Sequence, residues 1–391
     1  MSVRTALVVC FSTLDRDPRV VREIDWLQSD GWAVDSLGLG DKPRPTVRKH
    51  YPLLDPPTAT RPTLARAAIH MFLPYRARFR LLMGSRIPQD LGADGTRYDL
   101  ILINDMDLLP WIVLASPSLL SARGHVHLDV HEYHAWAPPS RWGRIAKILF
   151  AGYHEWTKSF VASPVFATRT TVAGGIAALY AREYGVPRAA VVRNAPDFVN
   201  ALPSPVNPDH IGLVYHGNAD LKRGFDLLIQ AVELLDSRFY LTLMLTGAED
   251  GKAAVRALAG GNPRIHFVDP VPLLQVAQRI NEFDLEVMFF PPVTENLRNA
   301  LPNKLFEAVQ GRLGLVIGKS PEMVRIIEQY GNGVVTPEWT AASLASTING
   351  LSAERVVELK HCSDTAAREL SASAERERFL AAVEFAGDQD R

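Results

Sequence analysis

The first forty residues restrict the fold more than any other stretch. Residues 6–11 (ALVVCF) form a short, β-branched apolar run, the pattern of a strand buried on both faces. A turn over 12–16 follows. Asp17, Pro18 and Arg19 then read as N-cap, first helical residue and helix entry, with Val20, Val21, Ile24 and Leu27 spaced along one face. Gly31 ends that helix, and 32–37 begins a second strand. A strand, a helix and a strand packed so closely require a crossover connection, so the chain opens as a parallel α/β sheet.

Further strands are expected at 98–103 and 126–130, each ending in polar residues: Asn104, Asp105 and Asp107 after the first, His131, Glu132 and His134 after the second. In open α/β sheets ligands collect at the carboxyl ends of strands, which is where these clusters fall. Runs at 160–163 and 190–193 read as the last strands of this half. A proline-rich stretch at 203–208 suits a linker, after which the alternation restarts. Strands are expected at 213–217, 239–246, 264–268, 285–290 and 313–318, with helices at 224–235 and 302–310. A chain of 391 residues is long for one core, so two α/β domains with a cleft between them are expected.

The 302–310 helix carries unusual chemistry at its start. Pro302 fits a first helical position, and Leu301 before it is a poor cap, so the first amides lack a local acceptor. Open amides and the helix dipole attract an anion there, and Lys304 adds a full charge. Glu307, one turn on, accepts only and suits paired hydroxyls. Phosphate at the helix start with hydroxyls beyond it describes a nucleotide diphosphate joined to a sugar; the plainer alternative is a Lys304–Glu307 surface pair.

Composition closes off other classes. A formal net charge of −1 provides no field for nucleic acid. The two cysteines, Cys10 and Cys362, belong to no disulfide or zinc pattern and fit a reducing cytoplasm. No signal core precedes the first strand, and no run of eighteen apolar residues is present. Residues 56–89 stand apart, with six arginines, no acid and interleaved aromatics. Such a segment either lies on an anionic membrane, at the inner face of the cell membrane, or packs on its own domain with its arginines outward. Residues 136–158, with Trp136, Trp142, Lys147, Phe150 and Trp156, continue that character. Asp105 and Asp107 form an Asp-x-Asp pair that invites a divalent-cation reading.

Taken together, DPRVVREI, NDMDLLP, DVHE, VVRNAP, YHGNADLKRGFDLLIQA, FVDPVP and NALPNKLFEAVQGRLGLV resemble the glycosyltransferase group 1 family, the retaining group with the GT-B fold. The resemblance runs over almost the whole chain and is strongest from about 212 to 335. It implies two Rossmann-like domains, 1–205 for the acceptor and 206–369 for the sugar nucleotide, with a helix at about 370–391 packing back on the first. It implies an enzyme of polysaccharide biosynthesis that moves a sugar from a nucleotide diphosphate sugar to a hydroxyl of a glycan or lipid-linked acceptor. The sugar nucleotide is then a co-substrate, and neither cofactor nor metal is expected, the Asp-x-Asp metal motif belonging to a different glycosyltransferase fold. By the same resemblance His131, Arg223 and Lys304 serve catalysis. Gly217, Arg223, Gly247, Val271, Asn299, Asn303, Lys304, Leu305 and Glu307 hold the donor, and Arg19, Asp107 and Glu132 face the acceptor. Glu307 matches the last glutamate of the family's Glu-x7-Glu motif, whereas Asn299 replaces the first, which touches the transferred sugar. Two other functions fit the same features: a sugar-nucleotide epimerase, and a non-catalytic subunit that binds the sugar nucleotide.

Overall fold

The computed structural model describes residues 3–55, 69, 72–104, 106–133 and 144–384, the side chains of 144–149 excepted. The chain divides into two compact units. One comprises Met1–Val172, Ile176–Val192 and Arg376–Arg391; the other comprises Ala173–Gly175 and Arg193–Glu375.

The first unit is built on strands β1 (Thr5–Thr13), β2 (Ala33–Leu39), β3 (His50–Pro52), β4 (Tyr98–Asn104), β5 (Leu120–Asp129), β6 (Phe166–Thr171) and β7 (Ala190–Val191). Their order is β3-β2-β1-β4-β5-β6-β7, and every pairing is parallel. The opening βαβ unit forms as its sequence dictates. Asp17 caps the Pro18–Ser29 helix by accepting from the amides of Arg19 and Val20, and Val20, Val21, Ile24 and Leu27 are buried. Late residues complete this core. Phe379 packs on Trp26 with ring centroids 5.4 Å apart, and the carbonyl of Val383 bonds His125 Nε2 at 2.7 Å.

The second unit holds β8 (Ile211–Asn218), β9 (Phe239–Thr246), β10 (Ile265–Val268), β11 (Leu285–Met288), β12 (Gly314–Gly318) and β13 (Gly333–Thr336). Their order is β10-β9-β8-β11-β12-β13, again all parallel. Both sheets therefore run outward in two directions from a central pair, β1/β4 and β8/β11. Such a pair is the switch point at which doubly wound sheets open a crevice at their carboxyl ends. The proline-rich stretch lies within this second unit and is pinned to it: Ser204 Oγ donates to the Asn281 carbonyl at 2.6 Å and receives Lys360 Nζ at 2.8 Å.

Three expectations are corrected. Residues 160–163 are not a strand. Phe160–Ala162 is a single 3-10 turn closing the Arg144–Ser159 helix, and the strand is Phe166–Thr171, whose FATRTT sequence has no apolar run to betray it. Pro302 is not the first helical residue. With φ −76 and ψ 151 it is the N-cap, and the helix runs Asn303–Gln310. The open start survives the shift, since proline has no side-chain acceptor. The basic segment is also less uniformly exposed than its composition suggests. Residues 56–68, 70 and 71 lie outside the described residues, as do Trp136 and Trp142 and the side chain of Lys147. In the Tyr75–Leu82 helix, Arg78 is 1% exposed and its guanidinium stacks over the Tyr153 and Phe150 rings at 3.9 and 4.9 Å. A weakly hydrated planar cation tolerates such aromatic burial. Trp156 packs there too, on Tyr75 and Phe79.

Candidate functional site

The second unit gathers most of the residues singled out above around the β8/β11 switch point. β8 closes with Tyr215, His216, Gly217 and Asn218; Gly217 is at φ +118, where a Cβ would lie 2.9 Å from Lys304 Nζ. The absent side chain at 217 is what lets the lysine reach the strand end. After β8, Asp220 caps a short turn over Leu221–Arg223. Gly224 follows at φ +74, so close to the Phe289 carbonyl that a Cβ would meet it at 2.8 Å. That tight turn places Arg223 over the Phe290 ring at 5.6 Å, with its Nε buried and making no hydrogen bond.

Lys304 is the unusual group. Its side chain comes from the first turn of the Asn303–Gln310 helix and lies over the Tyr215 ring at 3.8 Å and the Phe290 ring at 5.4 Å. The residue is 6% exposed, and its buried ammonium has no hydrogen-bond partner. Burial, with the charge of Arg223 behind it, lowers the group from 10.5 to about 7, against the pull of Glu286 and Glu307. An ammonium kept in an aromatic pocket beside an uncapped helix start is arranged for an anion supplied from outside.

Beneath it a chain of three charged side chains links strand to helix. His216 Nδ1 lies 2.9 Å from Glu286 Oε2, and its Nε2 lies 2.7 Å from Glu307 Oε2. Burial alone would lower the imidazole; Glu286 and then Glu307 overcome it and hold the ring at about 9. Sequence reasoning missed His216 and Glu286. The signals were present in a histidine just before a strand-end glycine and a carboxylate inside the apolar run of β11.

Other donor-side positions fall as follows. Gly247, at φ +99, closes the β9 loop on Asn218, where a Cβ would strike Asn218 Oδ1. Leu305 is fully buried, and Asn303 is exposed. Val271 follows the edge strand β10, two strands from β8, and is half-buried. Asn299 Nδ2 donates to the Glu295 carbonyl at 2.9 Å, and its Oδ1 lies against Gly175; its side chain turns to its own helix and that glycine.

In the first unit Arg19 is buried and its guanidinium is taken up within the fold. Its Nε and Nη2 donate to the two oxygens of Asp129 at 2.6 Å each, and Nη1 donates to the Val192 carbonyl at 3.0 Å. Asp129, at the end of β5, also accepts from Thr170 Oγ1 at 2.6 Å and lies 3.4 Å from His131 Nδ1. Burial would raise this carboxyl; Arg19 and His131 outweigh it and hold the group well below the usual range. Its neighbour Glu23 accepts from Asn104 on one oxygen only. Burial, then the Asp129 charge, pushes Glu23 up to about 8, the attraction of Arg19 notwithstanding; the bidentate Asp129 already takes that cation's best donors. His131 is 21% exposed, and Glu132 and Asp107 are exposed. Asp105 and His134 lie outside the described residues. Among the described residues no group of three His, Cys, Asp or Glu side chains is placed to hold a metal.

Two doubly wound sheets of parallel strands, each in its own unit, are the arrangement of the GT-B fold. Residues 210–354 match the family model described as Glycosyl transferases group 1, so the second unit is a group 1 glycosyltransferase domain. No curated protein matches the chain by sequence. Among solved structures it is similar to Anabaena Alr3699/HepE in complex with UDP and glucose, at 13% identity and a TM-score of 0.65, over 97% of this chain and 98% of that one. It is similar to α,α-trehalose 6-phosphate synthase of Burkholderia multivorans at 13% identity and 0.65, over 98% of each chain. Sucrose-phosphate synthase of Thermosynechococcus elongatus gives 14% and 0.60, over 97% and 95%. At such identities the likeness carries the fold; the chemistry rests on the residues above.

Proposed function

We propose that the enzyme moves a sugar from a nucleotide diphosphate sugar to a hydroxyl of a glycan or lipid-linked acceptor, with retention and without a metal. One observation carries the donor reading: the buried ammonium of Lys304, without an acceptor, at the switch point and beside an uncapped helix start. In transfer the bond from the anomeric carbon to the phosphate oxygen breaks, and the departing diphosphate gains negative charge. Lys304, Arg223 and the first amides of the Asn303–Gln310 helix stabilise that charge from fixed positions, the largest single contribution such a site makes. Glu307 accepts from the ribose hydroxyls. His131, Glu132 and Asp107 serve the sugar or acceptor side, while Arg19 holds Asp129 and through it the base of His131.

A thermal-shift screen of nucleoside diphosphates tests the donor site. A ligand at a hundred times its dissociation constant adds about 2.7 kcal/mol by mass action. One nucleoside diphosphate should raise the melting temperature of the parent by several degrees and leave Arg223→Ala and Glu307→Ala nearly unmoved. A screen in which no nucleotide shifts the parent would overturn the reading.

A lipid-linked acceptor agrees with the outer face of the Tyr75–Leu82 helix. Phe72 is 77% exposed, and Tyr75, Arg76 and Arg80 are exposed beside it, an aromatic and cationic set suited to an anionic membrane surface. Among the described residues no helix is long and apolar enough to cross a membrane. In flotation with vesicles containing phosphatidylserine, the parent should rise with the lipid and Arg76→Ala/Arg80→Ala should stay behind. Arg78 is left untouched because it is packed inside. Equal flotation of parent and variant would sink the membrane proposal.

A further inference from the structure

We propose that His216, braced by Glu286, is a positioning residue for Glu307, binding one oxygen of that carboxylate and leaving the other to accept from the ribose hydroxyls of a bound nucleotide. The inference rests on the donor-site reading above and adds the device that aims its hydroxyl acceptor.

The geometry is specific. Both ring nitrogens of His216 meet carboxylate oxygens, Glu286 Oε2 at 2.9 Å and Glu307 Oε2 at 2.7 Å. The second Glu286 oxygen receives the His216 amide at 3.4 Å. All three residues are buried, Glu286 completely. An ionised carboxylate only accepts, so two of them at one imidazole require both nitrogens to carry hydrogen, and the ring is an imidazolium. The buried ring thus lies bonded between two carboxylates, one on each nitrogen. A glutamate on a helix otherwise samples several rotamers; a charge-assisted bond to one oxygen fixes the direction of the other. Glu286 is anchored on β11 and His216 on β8, so the rigid sheet sets the position of a carboxylate carried by the Asn303–Gln310 helix. The charged groups around the imidazolium are Glu286 from β11 and Glu307 and Lys304 from that helix, with Arg223 acting on Lys304.

The test compares dissociation constants for UDP, GDP and ADP with those of their 2′-deoxy forms, and for inorganic pyrophosphate, by titration calorimetry. A hydrogen bond to a charged acceptor implies that the parent prefers the ribonucleotide by about 10- to 100-fold. In His216→Ala the preference should fall to within about 3-fold, while pyrophosphate binding changes by less than about 3-fold. A folded His216→Ala protein that keeps the full preference overturns the proposal, and so does a parent that shows none. A parent that binds no nucleoside diphosphate overturns the donor-site reading itself, and this inference with it. Glu286→Gln gives a second arm in case His216→Ala fails to fold. It keeps an acceptor at Nδ1 but removes the charge that holds the imidazolium, so the preference should vanish at a lower pH than in the parent. Because Lys304 serves both nucleotides alike, its own titration cancels in the ratio. Identical pH profiles for parent and Glu286→Gln would overturn the brace.

Discussion

Lys304→Met is expected to make the protein more stable and at the same time to lower its affinity for a nucleoside diphosphate by at least about 100-fold. The two effects share a cause. The lysine is held at about 7 in the folded protein against 10.5 normally, so carrying its charge works against the fold. That cost is full below about pH 7 and fades as the pH rises towards 10.5. At pH 8 it is on the order of 3 kcal/mol. Methionine fills the same aromatic pocket without a charge, and the unliganded variant should melt several degrees higher. In the parent, a diphosphate supplies the missing acceptors and raises the group, so binding at pH 8 takes up a proton. Calorimetry in two buffers of different ionisation enthalpy should show that uptake in the parent and none in Lys304→Met. Affinity in the parent should decline above about pH 7, as the free ammonium is lost. A Lys304→Met protein that is less stable, or that binds as the parent does, would contradict the assignment.

Asp129→Ala should produce the largest loss of stability, about 3–5 kcal/mol, because it strips the buried Arg19 guanidinium of its bidentate carboxylate and leaves it only the Val192 carbonyl and the more distant Glu23. Both Asp129 oxygens are engaged by Arg19 at 2.6 Å, and one also holds Thr170. The carboxylate thus joins the first helix to β5 and β6. For a unit of this size the loss corresponds to a fall of about 8–15 °C in the melting temperature. Asp129 is depressed, so its contribution is present above the ordinary carboxylate range and disappears only in strong acid. Glu23 acts the other way. It is held at about 8 against a normal 4.5, so its ionisation costs stability as the pH rises between those values. Buried His127, held down to about 3 against a normal 6.5, opposes this trend below 6.5, so acidification from pH 8 should stabilise the first unit only down to about pH 6.5. Below its melting point, Asp129→Ala should bind a nucleoside diphosphate as the parent does, since every donor residue named above lies in the second unit. A variant that melts with the parent would show that the Arg19 bonds carry no net stability.

The sheets were legible because parallel strands buried on both faces announce themselves as apolar runs, and the capped helix at Asp17 has its acceptor in the sequence. Phe166–Thr171 was not legible. Its mix of small, polar and charged residues gives no run, whereas the apolar FVA just before it has the composition of a strand and forms a turn. Lys304 and Glu307 were conspicuous by their place at an uncapped helix start, although the burial of the ammonium was not. His216 and Glu286 stand seventy residues apart in sequence and meet only because β8 and β11 are neighbours across a crossover. No local pattern reports such a contact. Arg19 shows the opposite failure. A basic residue in the first turn of a helix suggests a ligand, and only the fold reveals that a carboxylate 110 positions away has already claimed it.

The order in which the units are written along the chain has a consequence for how the protein is made. The second unit is almost one continuous piece, Arg193–Glu375, whereas the first needs residues from both sides of it. Phe379 and Val383, which close on Trp26 and His125, leave the ribosome only after the whole second unit has been synthesised. At 5–20 residues per second the first sheet waits on the order of ten to forty seconds with that flank uncovered. The domain begun first is thus the one finished last, and its unfinished surface is where a nascent chain of this kind has most need of a chaperone.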